Sequence, residues 1–235
     1  MPATPEYTLR DQDRMKRARR YFEWQYRLAG IQLGARVLEI GCGLGNFTGH
    51  LVDRELVVGI DSEPDCIAAH RARFAGRENL VSLCLDVLSP EFERLRAYRL
   101  DSVACLNVLE HIPDDAAALE HLAAVLPAGG RVVLIVPAFE ALYGPIDERL
   151  GHFRRYGKRS LTRLAARAGF RAEVLRYMNL AGFFGWWFNA RVARKTAQSE
   201  AQIAVFDRVI VPALSRLEGW MEPPVGQSIF AVLRK

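Results

Sequence analysis

One short segment places a carboxylate directly before a run of closely spaced glycines. Glu39 interrupts an apolar stretch that is otherwise typical of a buried parallel strand, formed by Val37, Leu38 and Ile40. Because burying a carboxylate costs several kcal/mol unless it has a partner, Glu39 is expected to face a polar group. Glycines follow at every second position, at Gly41, Gly43 and Gly45. Since glycine lets the backbone adopt a positive φ and approach a ligand closely, the segment predicts a ligand-binding turn at the carboxyl end of a strand.

The spacing of the glycines distinguishes two kinds of nucleotide-binding turn. The dinucleotide fingerprint is G-x-G-x-x-G/A, whereas here the third glycine comes one residue early and Asn46 takes the last small-residue position. The observed E-x-G-x-G-x-G spacing resembles the first motif of class I S-adenosylmethionine (SAM) dependent methyltransferases. The resemblance implies that Glu39 helps to hold the amino-acid end of SAM. It also implies that the turn makes room for the methionine half, through Gly41, Cys42, Gly43 and Gly45.

Two further acids follow the next two predicted strands. Asp61 ends the second strand, where a carboxylate can accept hydrogen bonds from both ribose hydroxyls, a device that NAD enzymes share. Asp61 and the adjacent Ser62 are therefore expected to bind the adenosine part of the ligand. Asp86 follows the third strand. The resemblance implies that Asp86 accepts the adenine amino group, while the backbone N–H of Val87 meets a ring nitrogen.

The end of the fourth predicted strand carries the expected reacting edge of the site. Its sequence, Asn-Val-Leu-Glu-His over 107–111, resembles the family segment that lines the cofactor's sulfonium, which places Asn107 and Val108 against the cofactor. His111 would then stand near the transferred methyl group, where it can deprotonate a hydroxyl or an amine. His152, in a His-x-x-x-Tyr pattern that recurs in similar bacterial enzymes, is the second candidate base. A structural role stays open for both, as a helix-end residue (His111) and as a loop anchor (His152).

These residues must be positioned by alternating strands and helices. The chain predicts strands at about 36–40, 56–60, 80–85, 102–106, 131–136, 171–178 and 228–233. Helices are expected at 46–53, 64–74, 90–97, 114–125 and 161–168, the last N-capped by Ser160, with an ordered loop over 137–159. Such alternation predicts a parallel sheet covered by helices on both faces. The resemblance implies an α/β, Rossmann-like fold with a seven-stranded, mostly parallel sheet in the order 3-2-1-4-5-7-6.

Two segments extend this pattern within what is predicted to be a single methyltransferase domain, residues 1–235. Residues 1–33 form an N-terminal cap region, in which an aromatic-rich helix over 10–29 is expected to lie over the cofactor cleft. Residues 179–225 form an insertion between strands six and seven, with helices predicted near 181–197 and 199–219. The first part of the insertion is rich in aromatic residues, and the part that follows is basic. It can therefore roof an acceptor pocket, form a homodimer face, contact an anionic membrane surface through 180–195, or simply be a buried capping helix.

The amino-acid composition places few limits on the class of protein. The 235 residues are half apolar and one quarter charged, which is ordinary for a globular domain, and the net charge is +5. The first residues lack the basic and apolar regions of a signal peptide, and the most apolar stretch is too short to span a bilayer. A cytoplasmic protein, at most peripheral to the inner face of the membrane, is therefore expected. The four cysteines lack metal-ligand spacing and are expected to be buried thiols, and no metal site is predicted.

The resemblance implies an enzyme that converts SAM to S-adenosylhomocysteine. The sequence over 107–110 replaces the Asn/Asp-Pro-Pro-Tyr turn of enzymes that methylate nucleobase amino groups, so a nucleic-acid substrate is not favoured. Asp114 and Asp115 fit the first turn of a helix better than a metal-binding carboxylate cluster. We therefore expect transfer to the oxygen of a small apolar or lipid-linked acceptor. The alternatives are an RNA-modifying methyltransferase, which would use the basic clusters at 14–20 and 154–159, and a non-catalytic SAM-binding protein.

Overall fold

The computed structural model describes residues 18–189 and 200–235, and its centre is one seven-stranded sheet. The strands are β1 (Arg36–Ile40), β2 (Leu56–Asp61), β3 (Leu80–Cys84), β4 (Ser102–Leu106), β5 (Arg131–Pro137), β6 (Arg171–Met178) and β7 (Ser228–Arg234). Their order is β3-β2-β1-β4-β5-β7-β6. Strand β7 runs antiparallel to β5 and β6, and the other neighbours are parallel. The predicted Rossmann-like fold and strand order are confirmed.

Helices connect the strands. The α-helices are α1 (Arg19–Ala29), α2 (Pro64–Arg73), α3 (Asp115–Val125), α4 (Pro145–Leu150), α5 (Lys158–Arg167), α6 (Leu180–Phe188), α7 (Glu200–Val205) and α8 (Val211–Trp220). A π-helical turn, Phe206–Ile210, joins α7 to α8. The 3-10 segments are Pro90–Tyr98, which has nine residues, and the short turns Thr48–His50, Leu109–His111 and Glu140–Leu142. Among the described residues, no helix is both long enough and apolar enough to cross a membrane.

The side chains of each strand point alternately to the two faces of the sheet, and both faces are buried. One face packs in a cluster that contains Leu38 of β1 and Leu119 of α3. The other face packs in a second cluster that contains Trp24 of α1 and Val211 of α8. The strands are therefore held rigidly, and the ends of the parallel strands form one fixed edge. None of the four cysteines forms a disulfide; three of them are buried as predicted, whereas Cys84 is exposed.

The helix predicted over 46–53 is wrong, since the structure has only the 3-10 turn Thr48–His50 there. Gly49 lies inside this turn, and glycine costs about 1 kcal/mol relative to alanine in a helix. The side-chain amide of Asn79 also donates to the carbonyl oxygens of Val52 at 2.9 Å and Arg54 at 2.8 Å. These bonds hold the link to β2 in a non-helical conformation.

The segment predicted as a loop over 137–159 contains the turn Glu140–Leu142 and helix α4. Helix α4 begins at Pro145, where the fixed φ of proline suits the first helical position, and it ends before Gly151, which has a φ of +76°. The predicted cap of the next helix is also wrong. Helix α5 begins at Lys158, ahead of Ser160, and the Ser160 hydroxyl oxygen accepts a hydrogen bond from the Gly157 N–H at 3.0 Å.

The cap region and the insertion contact each other. Helix α1 covers the second half of the helix predicted over 10–29, and residues 10–17 lie outside the described residues. Helix α6 covers the first half of the helix predicted over 181–197, of which residues 190–197 lie outside the described residues. The helix predicted near 199–219 corresponds to α7, the π-helical turn and α8. The Tyr21 N–H donates to Oδ1 of Asp207 at 2.9 Å, which ties α1 to the insertion.

We predict that Gly45→Ala destabilises the protein more than Gly76→Ala, although both glycines have a positive φ, +76° and +82°. A Cβ at Gly45 would overlap the ring of Phe74, whereas a Cβ at Gly76 meets nothing within 4 Å. Backbone strain alone is expected to cost Gly76→Ala about 1 kcal/mol. Overlap adds a further cost of about 1–3 kcal/mol to Gly45→Ala. Urea unfolding measures both, and equal losses would contradict the packing role of Gly45.

Candidate active site

A cavity of about 750 Å³ opens at the carboxyl ends of the parallel strands, within the size range of small-molecule sites. It brings together most of the residues predicted to bind the cofactor, and those on its wall are Glu39, Gly41, Cys42, Asp61, Ser62, Asp86, Val87, Asn107 and Val108. The two predicted catalytic residues, His111 and His152, line the same cavity. Gly43 and Gly45 belong to the glycine turn but do not line the cavity.

Asp61 holds the glycine turn in place. Its Oδ2 accepts a hydrogen bond from the backbone N–H of Gly43 at 2.9 Å, and its Oδ1 accepts one from Glu63 at 3.0 Å. Gly41 has a φ of +67°, and a Cβ at this position would lie 2.5 Å from Val108. The backbone therefore passes here where a side chain does not fit. Because each carboxylate oxygen has further lone pairs, Asp61 can still accept hydrogen bonds from hydroxyl groups of a ligand.

Glu39 is almost completely buried at the base of the cavity, and a chain of polar side chains leads away from it. Its Oε2 accepts a hydrogen bond from the Thr48 hydroxyl at 2.6 Å. The same hydroxyl lies 2.9 Å from Nε2 of His70, whose Nδ1 lies 2.8 Å from the Ser82 hydroxyl. Burial raises the pKa of Glu39 to about 8, although the Thr48 hydrogen bond opposes the rise. A cation in the cavity would therefore find a carboxyl group that forms no ion pair with residues 18–189 or 200–235.

The other predicted cofactor residues surround the cavity from two more strand ends. After β3, Oδ1 of Asp86 accepts the Leu88 N–H at 2.7 Å, and the neighbouring Val87 is buried. After β4, Asn107 adopts a left-handed φ of +56°, and its N–H donates to the Ile135 carbonyl at 2.7 Å. This sharp turn brings Val108 back against the glycine turn. The residues present thus fit SAM, with a buried acid for its amino group and further acids for its adenosine.

The two histidines lie side by side although they come from separate segments. Their ring centroids are 4.6 Å apart, with the planes nearly perpendicular. Nδ1 of His152 lies 2.8 Å from Oδ1 of Asp147. Because a carboxylate only accepts hydrogen bonds, Nδ1 carries the proton, and Nε2 is the acceptor or ligand atom. Protein atoms crowd His111 although its ring is open to the cavity. This burial, with the neighbouring His152 as second cause, lowers the pKa of His111 to about 4.

Glu110 is the buried acid beside this pair. Its side chain is 1% exposed, and its Oε2 has no hydrogen-bond partner among the described residues. Burial raises the pKa of Glu110 to about 7. A carboxylate oxygen of Glu110 and one nitrogen from each of His111 and His152 lie within 4.8 Å of one another. An unpaired buried oxygen costs about 1–3 kcal/mol, and a ligand at this point would remove that cost.

Asp147 anchors the segment that presents His152. It is fully buried, and Arg155 forms an ion pair with it at 2.9 Å. The indole N–H of Trp186 donates to its Oδ2 at 3.3 Å. Burial acts to raise the pKa of Asp147, but the His152 hydrogen bond and the Arg155 charge outweigh burial and lower the pKa. Farther along, the Tyr156 hydroxyl donates to Asp115 at 2.9 Å, which fastens the segment to α3.

The remaining cavity wall is largely apolar. Its apolar side chains come from α4, α6 and the π-helical turn, and they include Ile146, Leu150, Trp186 and Phe206. The outer face of α6 is different, because Phe184, Trp187 and Phe188 are about half exposed. This aromatic surface belongs to the segment predicted to contact a membrane, 180–195, of which residues 190–195 lie outside the described residues. The insertion thus supplies part of the acceptor-side wall.

Several residues of the site escaped the sequence analysis. Asp147 was hidden in the presumed loop, although Pro145 and Gly151 mark the ends of its helix. Glu110 stood in the recognised segment after β4, but no pattern in the sequence joins it to His152. The sequence analysis predicted no metal site, and it did not bring Glu110 and His111 together with the distant His152, each of which offers one potential ligand atom.

Known proteins resemble this chain at the level of both sequence and fold. The ubiquinone biosynthesis O-methyltransferase of Xylella fastidiosa is 37% identical over 103 residues, which are 42% of this chain and 40% of that protein. The chain thus aligns with less than half the length of this curated relative. A SAM-dependent methyltransferase from Mesorhizobium loti superposes with a TM-score of 0.61 at 14% identity, covering 90% of this chain and 98% of the other.

A second solved structure has a cofactor product bound. The N-methyltransferase NodS from Bradyrhizobium japonicum, in complex with S-adenosyl-L-homocysteine, superposes with a TM-score of 0.55 at 15% identity, covering 91% of this chain and 84% of that one. At such identities the superpositions show the fold alone. The model of the methyltransferase domain family, however, matches residues 13–174, which is well over half of the chain and includes the glycine turn, the three strand-end acids and both histidines. The chain therefore belongs to the methyltransferase domain family.

Proposed function

We propose that this protein transfers the methyl group of SAM to an oxygen atom of a small apolar acceptor. The observation that carries the proposal is the position of the histidine pair. His111 and His152 pack against each other and line the same cavity as the acidic strand ends and the apolar wall that Trp186 helps to form. A cofactor on one side and an apolar acceptor on the other would meet at these rings. The O-methyltransferase named for ubiquinone biosynthesis supports oxygen as the acceptor atom.

The proposed position of the cofactor is based on the residues at the ends of β1, β2 and β3. Glu39 would pair with the amino group of SAM, and Asp61 would accept the ribose hydroxyls. Asp86 and the backbone of Val87 would hold the adenine. The turn after β4 would then lie along the sulfonium, so the methyl group points towards His111. In this arrangement the protein contributes orientation and electrostatics, while bound SAM supplies an electrophilic methyl group.

The residues at the junction must align the acceptor and remove its proton. The acceptor oxygen forms a bond to the methyl carbon as the carbon–sulfur bond breaks, and the electron pair of that bond neutralises the sulfonium. The hydroxyl proton leaves at the cluster formed by His111 and His152. Such proton removal contributes about 10²–10⁴-fold to the rate. Asp147 fixes the orientation of His152, because it is buried and binds its Nδ1 at 2.8 Å.

The acceptor side favours an apolar molecule. Helices α4 and α6 line it with Ile146, Leu150 and Trp186. We further propose that a lipid-linked acceptor leaves its tail on the exposed aromatic surface of α6, formed by Phe184, Trp187 and Phe188. That surface lies on the same helix as Trp186, which is part of the cavity wall.

The direct test incubates the protein with SAM and a panel of apolar phenols and alcohols, with and without long apolar tails. We expect the mass of one acceptor to increase by one methylene group, in step with S-adenosylhomocysteine formation. Binding of SAM without transfer to any hydroxyl compound would favour a non-catalytic SAM-binding protein. Transfer to RNA, with an affinity that falls steeply with salt, would favour an RNA-modifying enzyme.

We predict that His152→Gln lowers kcat by about 10²–10⁴-fold, because the cluster at which the hydroxyl proton leaves is broken. The Kd for SAM, measured by calorimetry, should stay unchanged, since His152 lies on the acceptor side. His50→Gln is the matched control, because His50 stacks on Tyr26 and does not line the cavity. Equal activity of the two variants would contradict the assignment of His152.

We also predict a pH-dependent difference between the ligand-free protein and its Glu39→Gln variant. The pKa of Glu39 is raised to about 8 from 4.5, so the folded state keeps a proton that the unfolded state releases. The stabilising contribution of this proton is therefore full below pH 4.5 and is lost as pH rises towards 8. Relative to the variant, the free energy of unfolding should fall by roughly 1 kcal/mol per pH unit across this window. Urea unfolding at several pH values measures it, and parallel pH curves would contradict the buried, unpaired state of Glu39.

A further inference from the structure

Three ligating groups meet at the acceptor side of the cavity. Glu110, His111 and His152 each offer one ligand atom, and these atoms lie within 4.8 Å of one another. Ligands held at about 2.1 Å from one tetrahedral ion lie about 3.4 Å from each other, so the three ligand atoms would move together by at most about 1.4 Å on binding. The site is concave and reaches the cavity through His111, whose ring is exposed there.

A second observation, independent of the spacing of the ligand atoms, is the buried oxygen of Glu110. Glu110 is 1% exposed, its Oε2 has no hydrogen-bond partner among residues 18–189 and 200–235, and the carboxylate faces the two histidines. A carboxylate at this depth usually has its oxygens paired. The orphaned atom thus lacks a partner that a bound cation would supply.

Both histidines are oriented in the way that metal-binding histidines are. Nδ1 of His152 donates to the buried carboxylate of Asp147, which leaves Nε2 as the ligand atom. The backbone of Leu150 and Gly151 lies beside the ring of His111, where it can accept the N–H of one ring nitrogen. Ligating histidines nearly always give their second nitrogen to a carboxylate or a carbonyl group, which fixes the ring and strengthens the ligand. The arrangement therefore provides an outer layer of partners as well as the ligands.

We propose that Glu110, His111 and His152 bind one divalent transition-metal cation, such as Zn²⁺, Mn²⁺, Fe²⁺ or Co²⁺, which takes the hydroxyl oxygen of the acceptor as a further ligand. Two imidazoles with one carboxylate suit these cations, whereas Mg²⁺ and Ca²⁺ prefer all-oxygen sites. Three protein ligands also leave coordination positions open for the acceptor. The role in catalysis rests on the proposed function, but the binding of the cation does not.

Such a cation accounts for the loss of the acceptor proton. The hydroxyl oxygen binds the cation and releases its proton to water, which leaves a bound alkoxide or phenoxide. That oxygen then forms the bond to the methyl carbon, and the electron pair of the carbon–sulfur bond stays on sulfur. The neutral methyl ether binds the cation more weakly and departs. Neither histidine then acts as the base, since both are ligands.

Cation binding is tested directly with Co²⁺. Protein without a histidine tag is stripped with a chelator, dialysed and titrated with Co²⁺ alone. We expect visible absorption bands that saturate at one Co²⁺ per chain and are displaced by Zn²⁺. Glu110→Gln keeps the shape of the side chain and should weaken Co²⁺ binding by at least about 10-fold. His152→Ala should weaken it further, and His50→Gln should leave it unchanged.

The controls separate this inference from the proposed function. The Kd for SAM should be the same in the stripped protein, the Glu110→Gln variant and the unmodified protein, which also shows that each is folded. Transfer should fall by at least about 10²-fold after stripping and recover with Mn²⁺ or Zn²⁺. Full methyl transfer by stripped protein, or unchanged Co²⁺ binding in both Glu110→Gln and His152→Ala, would overturn the proposed cation site. The histidines would then remain the candidates for the base. Saturable Co²⁺ binding without any transfer would instead sustain the cation site and overturn the proposed function.

Discussion

The buried carboxylate of Asp147 is the group on which the acceptor side of the site depends. It is fully buried and accepts hydrogen bonds from His152, Arg155 and Trp186, which belong to the segment after α4 and to α6. A charge in this position requires partners, because an unpaired buried ion costs several kcal/mol. The requirement fixes where α6 lies, how Arg155 is oriented and which nitrogen of His152 faces the cavity. Removing this carboxylate would therefore loosen several elements together.

The cofactor side depends on a different constraint, the rigid edge of the parallel sheet. The strands β1, β2, β3 and β4 end at one edge, so the acids at or directly after the ends of the first three come together once these strands pair. Asp61 strengthens the edge by binding the N–H of Gly43. The histidine pair lies where this rigid edge meets the segment that Asp147 anchors. One half of the site is thus built into the fold, and the other half is added by the regions after β5.

The difference between the halves explains what could be predicted from the sequence. The residues around the glycine turn were predictable, because each strand-end motif is a contiguous pattern, and the strand order followed from the family resemblance that these motifs carry. Helix α4 was missed because it is only six residues long, and the helix predicted over 46–53 failed because Gly49 and the Asn79 side chain favour another path. Contacts such as Asp147 with His152, and Glu110 with both histidines, join separate segments. Nothing in the local sequence encodes these contacts, so they become visible only in the folded chain.

The central claim is that SAM and the acceptor meet at the histidine pair. A crystal structure with S-adenosylhomocysteine bound tests it most directly. The account predicts that the amino group of the ligand lies on Glu39, that its ribose lies on Asp61, and that its sulfur points along Val108 towards His111. A ligand that binds with its sulfur turned away from the histidines, or outside the cavity at the strand ends, would contradict the account.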